Sequence, residues 1–115
     1  MRRDPLAGMA DAPLFIVPRV LDRLRAFRPA FDGLAEGQGA RLRAAFDSLR
    51  DRLLEGIAAH PTKFWVMKQF LRSLETIRDE DAPARRQAGK AFDELMAMLG
   101  IDDPDGVIAH CLGWP

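Results

Sequence analysis

The amino-acid sequence predicts an all-α fold, an irregular bundle of three main helices with a short helix at each end. Three observations carry this. Apolar residues recur with helical period in three separate stretches, near 40–59, 63–78 and 82–99. Capping and breaking residues punctuate those stretches. The chain of 115 residues is one domain of ordinary length, enough for a real core without staples.

Residues 1–12 show no apolar period and are expected to form a flexible N-terminal tail, leaving 13–115 as a single helical domain. Pro13 and Pro18 bracket Leu14-Phe15-Ile16-Val17. That run reads as a short extended segment or as the lead into a helix at Pro18, where proline suits the first turn. Val17, Leu21, Leu24 and Phe27 then place a helix near 18–28, and Pro29 disfavours a helical Arg28. The next stretch, FDGLAEGQGA with Gly33, Gly37 and Gly39, reads as a loop. It lacks the lysine and hydroxyl residue of a P-loop and the preceding strand of a dinucleotide fingerprint.

The cleanest helix follows. Leu42, Phe46, Leu49, Leu53 and Ile57 fall within an arc of about 80° at 100° per residue, with Ala45 and Gly56 on one flank and only Leu54 out of pattern. Arg43 and Asp47 are spaced to pair on its outer face. His60-Pro61 ends it. Thr62 suits the N-cap of a second helix, whose apolar face (Phe64, Val66, Met67, Phe70, Leu71, Leu74, Ile77) spans about 160°, as expected of a central helix. Trp65 does not belong to that face. It projects into the polar arc with Lys68, Gln69, Arg72 and Thr76. Either another segment covers it, Leu14–Val17 being a candidate lid, or it anchors a partner, with Lys68 and Arg72 beside it.

DEDAP separates the second and third helices. Asp81 suits an N-cap and Pro83 the first turn, so the acids read as helix-start chemistry rather than a cation site. Ala84, Ala88, Ala91, Phe92, Leu95 and Leu99 make the third stripe, and Ala84 and Ala88 allow close approach. Lys90 and Glu94 are spaced to pair outside. Gly100 stops the helix, with Ile101 placed for the contact of a glycine C-cap.

The closing GIDDPDGVIAHCLGWP concentrates residues of chemical interest. An EF-hand alignment that puts Gly106 sixth places Ile101 first and Leu112 twelfth, both non-ligands. Asp103 as N-cap, Pro104 as first helical residue and Asp105 in the first turn account for the acids. Val107, Ile108, Cys111 and Leu112 then form a short apolar face, and Trp114 is expected to seal the bundle. Cys111 with His60 is the one conceivable Cys–His pair apart from His110, which adjoins Cys111 and would face elsewhere on a helix; a lone cysteine on an apolar face reads as core. There is no tyrosine, no GxSxG elbow and no HExxH, and Ser48 and Ser73 fall inside helices. The expectation is no catalytic residue, no metal and no cofactor.

Seventeen Lys and Arg balance seventeen Asp and Glu, which argues against a dedicated nucleic-acid binder. Arg19, Arg23, Arg25 and Arg28 against Asp22 form the most basic element and read as a solvated face. The apolar runs are far shorter than a membrane span, and no export signal is visible. Together with the single cysteine, these make the cytoplasm the expected compartment. The bias toward Arg, Ala, Gly and Asp resembles a GC-rich bacterial source.

The stretch ELMAMLGIDDPDG, from Glu94 to Gly106, resembles the C-terminal signature of the bacterial domain-of-unknown-function family 4844. Glu94, Leu95, Met96, Gly100, Ile101, Asp105, Gly106, Val107 and Ile108 carry the resemblance, and HPTK from His60 to Lys63 is similar too. Pro104 stands where that family more often has serine, and His110-Cys111 where a polar and an aromatic residue are expected. The resemblance implies a compact helical fold and brings no catalytic residues. The expected function is a small non-enzymatic protein-binding module, of immunity or accessory type, using Trp65, Lys68 and Arg72. The expected partner is another protein, neither nucleic acid nor membrane, and a homodimer stays open. The alternative is a small-ligand binder or enzyme with a pocket near the C-terminal helix, where Cys111 and His110 come first.

Overall fold

The computed structural model describes residues 11–101. Four helices follow one another: α1 (Pro18–Arg25), α2 (Gln38–Gly56), α3 (Lys63–Ile77) and α4 (Ala82–Leu99), with no strand among the described residues. The architecture is the expected all-α bundle of three main helices with a short N-terminal one. The C-terminal helix expected to start at Pro104, and with it Cys111 and Trp114, lies outside the described residues.

α2 and α3 form the most extensive helix pair, and α1 packs on α2 and α4. Leu42, Leu49 and Leu53 of α2 and its C-cap Ile57, Val66, Met67 and Phe70 of α3, and Ala84, Ala88, Phe92 and Leu95 of α4 are buried, as their periodicity requires. An aromatic chain ties the elements together. Phe46 of α2 meets Phe27, Phe31 and Phe92, with ring centroids 6.4, 5.5 and 4.7 Å away. Phe92 of α4 in turn meets Phe70 of α3 at 5.3 Å. These tilted pairs add to the area they bury, roughly 1 kcal/mol each.

That aromatic chain explains why α1 stops at Arg25 rather than at residue 28. The Phe27 N–H bonds to the Leu24 carbonyl at 3.2 Å, tightening the last turn and carrying the Phe27 ring into the core. Arg28 leaves the helix and donates to the carbonyls of Arg25 and Phe27, both at 2.8 Å. Arg50 of α2 also reaches the Phe27 carbonyl, at 3.3 Å.

α2 starts at Gln38, inside the glycine-rich stretch read as a loop. Gly37 precedes it at φ 84°, a conformation that favours glycine. Gln38 is buried because its side chain has two partners. Its Oε1 accepts the Ala35 N–H at 3.0 Å, and its Nε2 donates to Glu80 at 3.2 Å. Leu54, out of pattern in sequence, is half-buried and packs against the core. The outer-face pairs differ from the i,i+4 expectation. Asp47 pairs with Arg50 at 2.7 Å rather than with Arg43, and Lys90 and Glu94 form no ion pair with each other.

α4 opens and closes as its sequence dictates. The Asp81 carboxylate accepts the Ala84 N–H at 3.2 Å. Gly100 sits at φ 73°, with N–H bonds from Gly100 to the Ala97 carbonyl and from Ile101 to the Met96 carbonyl. This is a Schellman stop, and Ile101 is buried beside it.

The N-terminus of α3 is closed by a distant segment. The Leu14 N–H donates to the Pro61 carbonyl at 2.7 Å, and the Lys63 N–H to the Ala12 carbonyl at 2.9 Å, making an isolated antiparallel bridge between Pro13 and Thr62. The Asp11 carboxylate accepts the Phe64 N–H at 3.0 Å. The Thr62 hydroxyl accepts the Trp65 N–H at 3.3 Å, and the Thr62 carbonyl accepts the Val66 N–H at 3.2 Å. All four donors of the first turn therefore have partners. Asp11 and Ala12, which have no apolar period, belong to the folded unit through these bonds.

Candidate protein-binding face

The α2–α3 pair has an apolar inner face and a polar seam toward solvent. On α2 the seam follows Arg41, Ala45, Ser48, Arg52 and Gly56, steps of three and four residues that keep one stripe on a helix. On α3 it follows Trp65, Gln69 and Ser73, then Glu80 just beyond the helix end.

At the end nearest the connecting loop, Trp65 lies across Gly56. A Cβ built on Gly56 would sit 2.3 Å from Cζ2 and 2.6 Å from Cη2 of the indole. His60 stacks on the same ring, with centroids 5.6 Å apart and planes 21° apart. Trp65 is therefore half-buried. Gly56 and His60 lie against the ring, and the segment from Asp11 to Leu14 forms the extended clasp on α3 described above. At the end of the clasp and just after it, Leu14 and Ile16 pack toward the core while Phe15 is 87% exposed. The indole N–H has no partner among the described residues and is not buried.

In the middle of the seam, Arg52 bridges the helices. It donates to the Ser48 hydroxyl (2.8 Å), the Gln69 side-chain oxygen (3.3 Å), the Gln69 carbonyl (3.0 Å) and the Ser73 hydroxyl (2.8 Å). Ser73 is buried and needs that partner. Every acceptor is neutral. Burial, and then the neighbouring Arg72 charge, lower the Arg52 pKa from its ordinary value. An arginine is still cationic after such a change. At the far end, Arg41 grips Glu80 through both carboxylate oxygens.

Lys68 and Arg72 extend from Trp65 along the solvent side of α3 and are exposed. The three residues named from sequence thus share one stripe, about 10 Å long at 1.5 Å per residue. Arg52, Gln69 and Ser73 were not singled out by sequence. Their signal is the stripe that Ser48 and Arg52 share with Gly56, and it does not reveal which helix that stripe faces.

Elsewhere the described residues offer less chemistry. No group of three or more His, Cys, Asp or Glu side chains stands close enough to hold a metal ion. A depression of about 530 Å³ lies between the α1–α2 connection and α4, with Arg28, Asp32, Lys90 and Glu94 around Phe31 and Ala91. Its lining residues include no serine, threonine, cysteine or histidine. The arginines of α1 and just after it are partly engaged, Arg25 with Asp22 and Arg28 with the carbonyl of Arg25 at the helix end. No described helix is long and apolar enough to cross a membrane. His110 and Cys111, with the acids Asp102, Asp103 and Asp105, lie outside the described residues. Comparison with family models, with curated proteins and with solved structures gives no match to this chain.

Proposed function

We propose that this chain is a non-enzymatic protein-binding module, of immunity or accessory type, that engages its partner through Trp65, Lys68 and Arg72. One observation carries the reading. Trp65 lies across Gly56 and stacks with His60, so it is half-covered, and it shares its helical stripe with the exposed Lys68 and Arg72. A rigid, half-covered tryptophan with basic neighbours has the composition of an interface hot spot, and its entropy cost on binding is small. The resemblance to family 4844 adds no activity to this reading.

The test is capture of partners from the source cell by the wild-type chain and by a Lys68→Glu, Arg72→Glu double variant. Both positions are exposed, so the unfolding midpoint is expected to stay put while capture is lost. Equal capture by the wild type, the double variant and a Trp65→Phe variant would remove the face from consideration. A small-ligand site is the second reading, favoured by the depression beside Phe31; the pocket expected near Cys111 lies outside the described residues.

A further inference from the structure

Building on the proposed binding face, we infer that its partner presents a short acidic segment, with an apolar side chain against Trp65 and carboxylates one to two helical turns away against Lys68, Arg72 and Arg52. Half-buried charges in folded proteins are ordinarily paired with opposite charge. Arg52 departs from that rule. Its guanidinium is held by four hydrogen bonds, all to uncharged oxygens. Neither Arg52, Lys68 nor Arg72 has a carboxylate oxygen within 4.0 Å among the described residues. The bonds to Gln69 and Ser73 place the Arg52 guanidinium on the turn that carries Arg72, so two guanidinium charges stand together on a rigid base.

The surroundings limit what can neutralise this charge. Glu55 follows Arg52 by one turn on α2, Glu75 follows Arg72 on α3, and Asp79 lies just past the end of α3, all exposed. They confine the positive potential to about one turn. A nucleic-acid backbone or an anionic membrane needs a longer basic track. One or two carboxylates on a polypeptide fit the available length, and Arg72 is free to receive one in the bidentate geometry guanidinium groups favour. Trp65, seven residues away along the stripe, supplies the apolar anchor that fixes register.

The experiment uses the full chain, labelled with ¹⁵N, and a short synthetic peptide carrying a leucine followed by a run of glutamates. Its counterpart with glutamines, a single-stranded DNA oligonucleotide and vesicles of anionic lipid are run alongside. The expected result is amide shifts confined to residues 65–73 and the Arg52 turn. Binding should weaken about tenfold or more with the glutamine peptide, and likewise with the Lys68→Glu, Arg72→Glu variant, whose melting is checked against the wild type. Shifts elsewhere, no shifts, or stronger binding of DNA or vesicles at this face overturn the inference. Cellular capture lost in Trp65→Phe but intact in the double variant overturns it too, while leaving the protein-binding reading in place.

Discussion

Gly56 and Trp65 occupy one volume: the indole fills the space that any side chain at position 56 would need. In an ordinary helical position, replacing glycine with alanine stabilises by about 0.5–1 kcal/mol. Here the added methyl would overlap the ring, and overpacking of this kind costs about 1–3 kcal/mol. Gly56→Ala is therefore expected to destabilise. With Trp65→Ala already present, the same substitution should become neutral or mildly stabilising. Urea unfolding of the four proteins of this cycle measures the coupling, and additive effects would show that the two residues do not compete for space.

Arg52 is expected to matter for stability as well as for charge. Arg52→Ala leaves the buried Ser73 hydroxyl without its partner and should cost about 1–3 kcal/mol. Arg52→Lys keeps the charge but cannot span Ser48, Gln69 and Ser73 together, so an intermediate loss is expected. A lysine variant as stable as the wild type would show that the bonds across the seam contribute little.

Glu80 gives the seam a pH dependence. Hydrogen bonding from Arg41, and secondarily from Gln38, holds its carboxyl below the ordinary glutamate value, against an opposing effect of burial. A carboxyl depressed in the folded state contributes stability that is present above its unfolded pKa. That stability is lost as pH falls through the lower, folded pKa. The gap between wild type and Glu80→Gln should be steady at neutral pH and shrink in acid. Denaturant midpoints across the acid range read this directly, and a gap that widens in acid contradicts the assignment.

The clasp on α3 can be dissected by exchange. Thr62→Ala should cost about 1 kcal/mol, as loss of an N-cap commonly does. Asp11→Ala, at an exposed site, should cost less. Both should speed hydrogen exchange at the first-turn amides of α3, the Asp11 variant mainly at Phe64 and the Thr62 variant mainly at Trp65. Uniform acceleration throughout α3 would mean that the clasp acts on global stability alone.

The helices and their punctuation are legible in sequence because they depend on near neighbours. Thr62, Asp81, Gly100 and Ile101 act within a few residues of themselves, and each does what its type and position predict. The early end of α1 was not legible, because it is set by the demand of a distant Phe46 for the Phe27 and Phe31 rings. The start of α2 at Gln38 was hidden in the same way, since Gln38 is held by Glu80 across the chain. Trp65 was legible as an anomaly but not as a solution. Its partner Gly56 registers in sequence only as a missing side chain, and nothing in helical period says which missing side chain another residue will use. Asp11 was invisible for a related reason: a single bond to the start of a helix leaves no periodic trace.

The seam between α2 and α3 has unlike fastenings at its two ends. Near the connecting loop the fit of Trp65 over Gly56 is a matter of shape, which dissolved ions barely affect. At the other end the Arg41–Glu80 grip is Coulombic and partly exposed, so salt screens it. Raising ionic strength should therefore loosen the hairpin from one side only, like a clip that opens at its mouth while its spring stays shut.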